Sequence, residues 1–245
     1  MNAQRIKQHQ IKTLYGTIYT KLPGEMILKT EGFIQFQFDS IGQTTSMRSY
    51  RPHLGFQDTI RYFYQYSNKQ LVATKSVTKK GYTSQRYTYL KDKLINSEER
   101  IGLNSNGEEI QTNSLNYVDQ NLENYMLTTV AYEGGHTFKH LLKSYDTTRT
   151  LLKEVSIDFL QQDTITTWYT YNEDSNLIHQ KTIADQTVNE VHISYQSNGE
   201  VEAITYYTNG VLSKEIQVIY QAGNQPLSSV IQLDHRTKAM EIIRF

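Results

Sequence analysis

The chain of 245 residues contains no cysteine, carries no net formal charge and has no long apolar run. The absence of cysteine excludes disulfides, thiolate metal ligands and cysteine nucleophiles. Because no stretch of about 18 apolar residues occurs, the sequence predicts no membrane-spanning helix.

Acidic and basic residues balance, with 25 Lys and Arg against 25 Asp and Glu. Proteins that bind nucleic acid usually carry a basic patch that releases counterions from phosphates. The short basic runs here, such as Lys79-Lys80, are interpreted as hairpin-loop residues. The composition therefore disfavours nucleic acid as a partner.

Signals for catalysis and for metal binding are missing as well. The sequence has no nucleophile elbow, phosphate loop or dinucleotide fingerprint. His136 and His140 follow two glycines in an alternating segment. On a strand their side chains are about 13 Å apart, too far for one ion. The adjacent carboxylates of Glu98-Glu99 and Glu108-Glu109 point to opposite faces of a strand. The sequence thus predicts no catalytic residues, no metal site and no cofactor, and indicates that the protein is not an enzyme.

What the chain does contain is a repeat in which an aromatic residue recurs every 23 to 28 residues and is followed by a turn. Such a period indicates tandem supersecondary units. The repeated aromatic positions are Phe38, Tyr66, Tyr89, Tyr117, Tyr145, Tyr171, Tyr195 and Tyr220.

Within a unit the hydrophobic pattern alternates with the period of a strand, as in Ile60 to Tyr66. An apolar residue five to seven positions after the aromatic, from Tyr66 onward, is expected to open the next strand, and a bulge is expected near some turns. These residues are Leu71, Leu94, Leu122, Leu151, Leu177, Val201 and Leu227. At the far end of the units, pairs such as Asn209-Gly210 favour primed hairpin turns.

The predicted fold class is all-β, a long antiparallel β-meander of about eight hairpin repeats and roughly sixteen strands. A sheet of that length is expected to coil into an open spiral or flattened barrel. Residues 1–13 are assigned to an N-terminal arm that could hold one or two helical turns, and 14–245 to a single repetitive β-hairpin domain. A faint helical pattern also covers Asp119 to Thr129.

The repeat resembles the YD-repeat family, the hairpin arrays of rearrangement-hotspot and teneurin proteins, whose pattern is Tyr-x-Tyr-Asp-x-x-Gly-x-Leu. It is echoed by residues 36–42, 169–177 and 193–201, and literally by Tyr145-Asp146. Residues 206–212 are similar to MORN-type hairpins. The resemblance implies a coiled β-hairpin sheet that acts as a scaffold or binding surface rather than as an enzyme.

The aromatic ladder is the remaining candidate for function. It either packs across strands or offers an aromatic surface to a ligand. Trp168 precedes Tyr169-Thr170-Tyr171 and therefore alternates onto the face opposite those tyrosines. If the tyrosine face is the buried one, Trp168 is exposed as a stacking platform. Trp168, Tyr66 and Tyr171 are the candidate ligand-binding residues.

These observations favour a non-enzymatic β-repeat scaffold or protein-interaction module, expected in the bacterial envelope. The alternative is a carbohydrate- or lipid-binding module that uses the aromatic sheet face. An outer-membrane barrel fits less well, because the polar face is rich in Arg, Gln and Thr and the mean hydropathy is −0.59.

Location and assembly are less sharply indicated. Exposed end strands would make self-association possible. The Tyr-rich, cysteine-free composition slightly favours an exported periplasmic or cell-surface protein, whose leader is absent from this sequence, over a cytoplasmic one.

Overall fold

The structure, a computed structural model, is built almost entirely of antiparallel strands. It describes residues 3–52, 59–68, 70–78, 80–89, 94–103, 108–122, 125–132, 136–220 and 227–245. These residues form one short helix and eighteen strands, and every described pairing between strands is antiparallel. The predicted all-β antiparallel meander is confirmed, with slightly more strands than the roughly sixteen expected.

The elements follow one another along the chain with short connections. They are α1 (Ala3–Gln8), β1 (Thr13–Lys21), β2 (Leu28–Phe38), β3 (Thr44–Tyr50), β4 (Ile60–Ser67), β5 (Gln70–Thr78), β6 (Gly81–Tyr89), β7 (Leu94–Leu103), β8 (Glu109–Leu122), β9 (Tyr125–Tyr132), β10 (Thr137–Tyr145), β11 (Leu151–Asp158), β12 (Asp163–Tyr171), β13 (Leu177–Ala184), β14 (Thr187–Tyr195), β15 (Val201–Thr208), β16 (Val211–Tyr220), β17 (Leu227–Asp234) and β18 (Met240–Arg244). The helical turn expected in the N-terminal arm is α1. The faint helical pattern of Asp119 to Thr129 does not correspond to a helix, because β8 and β9 are strands.

The chain divides into two compact units. Unit 1 comprises Met1–Thr83, Gly102–Glu109 and Lys214–Phe245, and unit 2 comprises Ser84–Ile101 and Ile110–Ser213. Whether residues 14–245 behave as the single domain expected from sequence stays a prediction.

In unit 1 the strands pair in the order β16-β17-β18-β1-β2-β3-β4-β5. The first strand of the chain therefore lies beside the last, with Thr17 opposite Arg244. Both β1 and β18 have a partner on each side, so the expectation that these end strands are exposed is wrong. Their hydrogen-bonding groups are largely used within the chain. Self-association of the protein stays a prediction.

The core of unit 1 forms where β1, β2 and β18 meet. Ile18 is completely buried and packs with Ile34 and Ile243, against which Phe36, Met47 and Phe245 also pack. The pairing of β1 with β2 shifts register at Ile18, and the carbonyl of Ile18 accepts a hydrogen bond from the Thr30 hydroxyl at 2.9 Å. The carbonyl of the buried Ile18 therefore has a hydrogen-bond partner at the point where the pairing of β1 with β2 is irregular.

Unit 2 pairs its described strands in chain order from β8 to β15. One face of its strands carries buried or half-buried side chains, several of them polar. Thr167 of β12 is buried, and its hydroxyl lies 3.0 Å from that of Thr182 on β13. On β8 and β9, Asp119 accepts a hydrogen bond from the hydroxyl of the buried Thr128. This face is held by hydrogen bonds as well as by apolar contacts.

The repeat has a structural counterpart in a register shift immediately before the aromatic residue. The shift is described before Phe38, Tyr66, Tyr145, Tyr171, Tyr195 and Tyr220. The bulge, which the sequence predicted only near some turns, thus recurs from one hairpin repeat to the next. The expected apolar residue lies at or next to the start of the following strand in β5, β7, β11, β13, β15 and β17.

One repeat departs from this pattern. Tyr117 lies inside β8 rather than at its end, and Leu122 closes β8 instead of opening the next strand. The sequence prediction is wrong here because this strand runs on beyond its aromatic residue as far as Leu122.

The turn after the aromatic residue is also repeated. The Asp146 amide donates to the Thr150 carbonyl at 3.0 Å, and the Asp146 carboxylate accepts from the amides of Thr148 and Thr150. The hydrogen bonds from Thr150 and then Thr148 hold the pKa of Asp146 below its ordinary value. The same backbone bond joins Asp39 to Gln43, Asn172 to Asn176 and Gln196 to Glu200. Each of these turns places its fourth residue at positive φ, which Gly42 and Gly199 adopt at the lowest cost.

The core of unit 1 yields the first prediction. Ile18→Ala should lower the free energy of unfolding by about 2–5 kcal/mol, because it leaves a cavity in a fully packed site. Ile219→Ala is the matched control, since Ile219 is exposed and its truncation should cost less than about 0.5 kcal/mol. Chemical denaturation of both variants measures the difference. Equal losses would contradict the location of the core.

Candidate functional site

Trp168 lies in β12 on the face opposite the repeat tyrosines. Its neighbour Thr167 is buried, Tyr169 and Tyr171 are half-buried, and Trp168 is 37 % exposed. The tyrosine face is therefore the more buried one, and the conditional prediction that Trp168 is then exposed is confirmed. Its role in binding stays a prediction.

The strand register places Trp168 in a straight row of side chains across five strands. Lys153 lies opposite Trp168, Trp168 opposite Lys181, Lys181 opposite Glu190, and Glu190 opposite Tyr207. We call these five residues the Trp168 row. Directly opposed residues in a sheet point to the same face, and adjacent strands are about 4.8 Å apart, so the row is about 19 Å long.

Two pairs of neighbouring side chains in the row interact. The Lys153 ammonium lies 5.5 Å from the centroid of the Trp168 ring, within the range of a cation–π interaction. Lys181 Nζ lies 3.7 Å from Glu190 Oε1. These contacts restrict the indole ring and the three charged side chains before any ligand binds.

A second row runs beside the first, displaced by two residues along each strand. Thr170 lies opposite His179, His179 opposite His192, and His192 opposite Thr205. The two imidazole rings are 4.5 Å apart, and the His192 ring meets that of Tyr207 edge-on at 5.2 Å. The same face thus combines aromatic rings with polar groups.

His179 is the least satisfied residue of this face. Its Nε2 atom is inaccessible to solvent and makes no hydrogen bond. Glu190 Oε1 lies 3.5 Å from that atom, but without hydrogen-bond geometry. The carboxylate would attract the imidazole only if the ring were protonated.

The other two predicted site residues belong to the half-buried aromatic ladder. Tyr171 ends β12, and burial, followed by the charge of Asp146, raises its pKa. Tyr66 is the last residue but one of β4 in unit 1, and its pKa is raised by burial and by Tyr64 and Asp39. Trp168 and Tyr171 face opposite sides of β12, so the structure does not bring these two together.

Sequence reasoning missed an aromatic cluster on unit 1. The Phe33 ring stacks on Tyr15 at 5.7 Å and meets Tyr50 at 6.1 Å, while the Arg48 guanidinium lies 5.9 Å from its centroid. We call these four residues the Phe33 cluster. The sequence does contain a signal for this cluster. In β1 the buried Leu14 and Ile18 alternate with Tyr15, which places Tyr15 on the other face. The signal was missed because this strand precedes the first clear repeat.

The histidines considered as metal ligands have other surroundings. His136 is exposed, and His140 meets the Phe159 ring edge-on at 5.0 Å. Within the described ranges, no group of three or more histidine or acidic side chains is arranged to hold a metal ion. The same residues also form no helix that is long and apolar enough to cross a membrane.

Comparisons with known proteins assign the chain to no family. No protein-family model matches the chain, and no curated protein matches it. A porin-like protein from Bacteroides vulgatus matches with 11% identity and a TM-score of 0.40, over 93% of this chain and 95% of that one. A porin-like protein from Bacteroides uniformis matches with 7% identity and a TM-score of 0.36, over 95% of each chain.

The contact between Lys153 and Trp168 leads to a prediction. Since Trp168 is the single tryptophan, intrinsic fluorescence reports on this residue alone. Lys153→Ala should increase acrylamide quenching of that fluorescence, because the ammonium no longer shields the ring. Lys12→Ala, at an exposed position outside the strands, is the control and should leave quenching unchanged. Unaltered quenching in Lys153→Ala would show that the two side chains do not contact in solution.

Proposed function

We propose that the protein is a non-enzymatic β-repeat module of the bacterial envelope, and that it binds a polysaccharide along the Trp168 row. The observation that carries the proposal is the exposed indole of Trp168, set in a line of polar and charged side chains on a regular sheet. The resemblance to YD-repeat arrays, an expectation from sequence, supports a binding role of this kind.

The chemistry of the row suits a sugar better than an acyl chain. An indole ring can stack on the apolar face of a pyranose, and neighbouring polar groups can form hydrogen bonds with the hydroxyls of the sugar. Lys181 and Glu190 supply a donor and an acceptor on adjacent strands, and Tyr207 adds a hydroxyl. Lipid tails would leave these charged groups desolvated, which is costly.

The shape of the row favours a polymer over a single sugar. A length of about 19 Å accommodates several successive rings, whereas one sugar would contact only one or two side chains. The contact with Lys153 limits the freedom of the indole, so less conformational entropy is lost on binding.

The proposal predicts that Trp168→Ala weakens polysaccharide binding. Hexasaccharides of β-1,4-glucose, β-1,4-xylose and α-1,4-galacturonate are titrated by calorimetry against wild type and variants. At least one should bind, and Trp168→Ala should weaken it by about tenfold or more, equivalent to roughly 1.4 kcal/mol. Trp168→Tyr should retain part of the affinity, since a ring remains.

Tyr125→Ala is the matched control. Tyr125 is an exposed aromatic residue of unit 2 that lies on β9, outside the row. Its removal should leave binding unchanged. Failure of all three sugars to bind, or undiminished binding by Trp168→Ala, would contradict the proposed function.

A second candidate function is protein interaction, and the Phe33 cluster favours it. Tyrosine and arginine are enriched among the residues that dominate protein interfaces. Tyr15 is exposed and stacks on Phe33, and the Arg48 side chain is exposed beside them. The cluster therefore offers rigid rings next to a cation.

This second function predicts a partner whose capture depends on the cluster. Tagged protein is incubated with separate envelope and cytosolic fractions, and bound proteins are identified by mass spectrometry. A stoichiometric partner from the envelope fraction should be retained by wild type and by Tyr125→Ala, and lost by Phe33→Ala and Arg48→Ala. A partner retained by all four proteins would not be bound by this cluster.

A further inference from the structure

The connection between β1 and β2 carries a concentration of exposed apolar side chains. Leu22, Met26, Ile27 and Leu28 are 51%, 82%, 45% and 55% exposed. All four lie within the seven residues 22–28, which we call the 22–28 tip. Contiguous exposed apolar surface of this kind commonly marks a site of contact with a membrane or another protein.

The tip has a defined conformation. The Glu25 amide donates to the Leu22 carbonyl at 3.1 Å, and Gly24 has a φ of +78°. A proline at the second position and a glycine with positive φ at the third are the signature of a type II turn. Pro23 and Gly24 occupy those positions, so residues 22–25 form such a turn, and Met26, Ile27 and Leu28 follow it with their side chains exposed.

Polarity changes in a fixed order from the tip toward the body of unit 1. Behind the apolar residues come Lys21 and Lys29, both exposed. Lys29 lies opposite Tyr19, and the Arg244 guanidinium lies 4.8 Å from the centroid of the Tyr19 ring. Lys21 is two residues from Tyr19 on the same strand, so its side chain points to the same face as that of Tyr19. The cationic side chains of Lys21, Lys29 and Arg244 therefore share one face.

We propose that the 22–28 tip inserts into the surface of a bilayer containing anionic lipids. Its apolar residues would enter the boundary with the acyl chains. Lys21, Lys29 and Arg244 would lie at the level of the headgroup phosphates, with Tyr19 at the interface. The order of side chains along the hairpin matches the order of environments that a bilayer offers.

The dimensions of the tip favour a lipid surface over a protein groove. A stable protein interface buries about 800 Å² on each partner, which is more than the end of one hairpin can supply. Insertion into a bilayer requires no complementary shape, and three nearby cations match an anionic surface. Glu25 is the one acidic residue of the tip, and it opposes binding.

Vesicle binding tests the proposal with the full chain. Sedimentation is measured with vesicles of phosphatidylcholine alone and with vesicles in which part of that lipid is replaced by phosphatidylglycerol. Wild type should bind the mixed vesicles more tightly. Met26→Ser combined with Ile27→Ser should weaken binding by about tenfold or more. Because both side chains are exposed, the fold should be retained, and circular dichroism checks this.

Charge variants sharpen the test. Lys21→Gln and Lys29→Gln should each weaken binding to the mixed vesicles by about fivefold, with little effect on phosphatidylcholine vesicles. Glu25→Gln should strengthen binding to the mixed vesicles. Leu160→Ser is the matched control, because Leu160 is an exposed apolar residue of another turn, and it should bind as wild type does.

Three results would overturn the proposal. One is the absence of wild-type binding to either kind of vesicle, and another is full binding by the double serine variant. The third is a lipid-free dimer, seen by light scattering, that the double variant abolishes, since the tip would then be a contact between copies of the chain. Trp168→Ala should still bind vesicles, so failure of this inference is distinguishable from failure of the polysaccharide proposal.

Discussion

Strand register is the constraint on which the surfaces of this protein depend. Side chains alternate between the two faces of a strand, so a slip of one residue would exchange every buried group for an exposed one. A bulge lies before six of the eight repeat aromatics, and the same turn follows four of them. These features fix the register again in their hairpins. Because the turn recurs at the same place, the tyrosines of successive repeats stay on the half-buried face and Trp168 stays on the other.

Regular pairing also determines which side chains meet on the surface. Lys153, Trp168 and Lys181 are separated along the chain by 13 residues or more, yet they become neighbours because β11, β12 and β13 pair without a shift at these positions. In unit 1, pairing between β1, β2 and β18 assembles both the buried contacts of Ile18 and the aromatic and cationic groups on the opposite face. A simple architecture thus yields surfaces of distinct chemistry.

Much of the fold could be predicted from the sequence, because alternation and turn residues are local signals. Asn209 and Gly210 both have positive φ, as an Asn-Gly hairpin requires, and Leu151, Leu177 and Val201 each begin a strand. The pairing of β1 with β18 could not be predicted, since it joins residues at opposite ends of the chain, such as Thr17 and Arg244, and has no local signal. For the site, alternation was sufficient to separate Trp168 from Tyr171. It could not place Lys153, Glu190 or Tyr207 beside the indole, because that requires the cross-strand register.

The account rests on the claim that register alone decides whether an aromatic residue is buried or offered to a ligand. The most direct measurement is acrylamide quenching of tryptophan fluorescence in a variant that exchanges two neighbours, Trp168→Tyr with Tyr169→Trp. Composition is unchanged, and circular dichroism confirms that the variant is folded. The account predicts markedly weaker quenching than in wild type, because residue 169 faces the half-buried side. Equal quenching in the two proteins would contradict it.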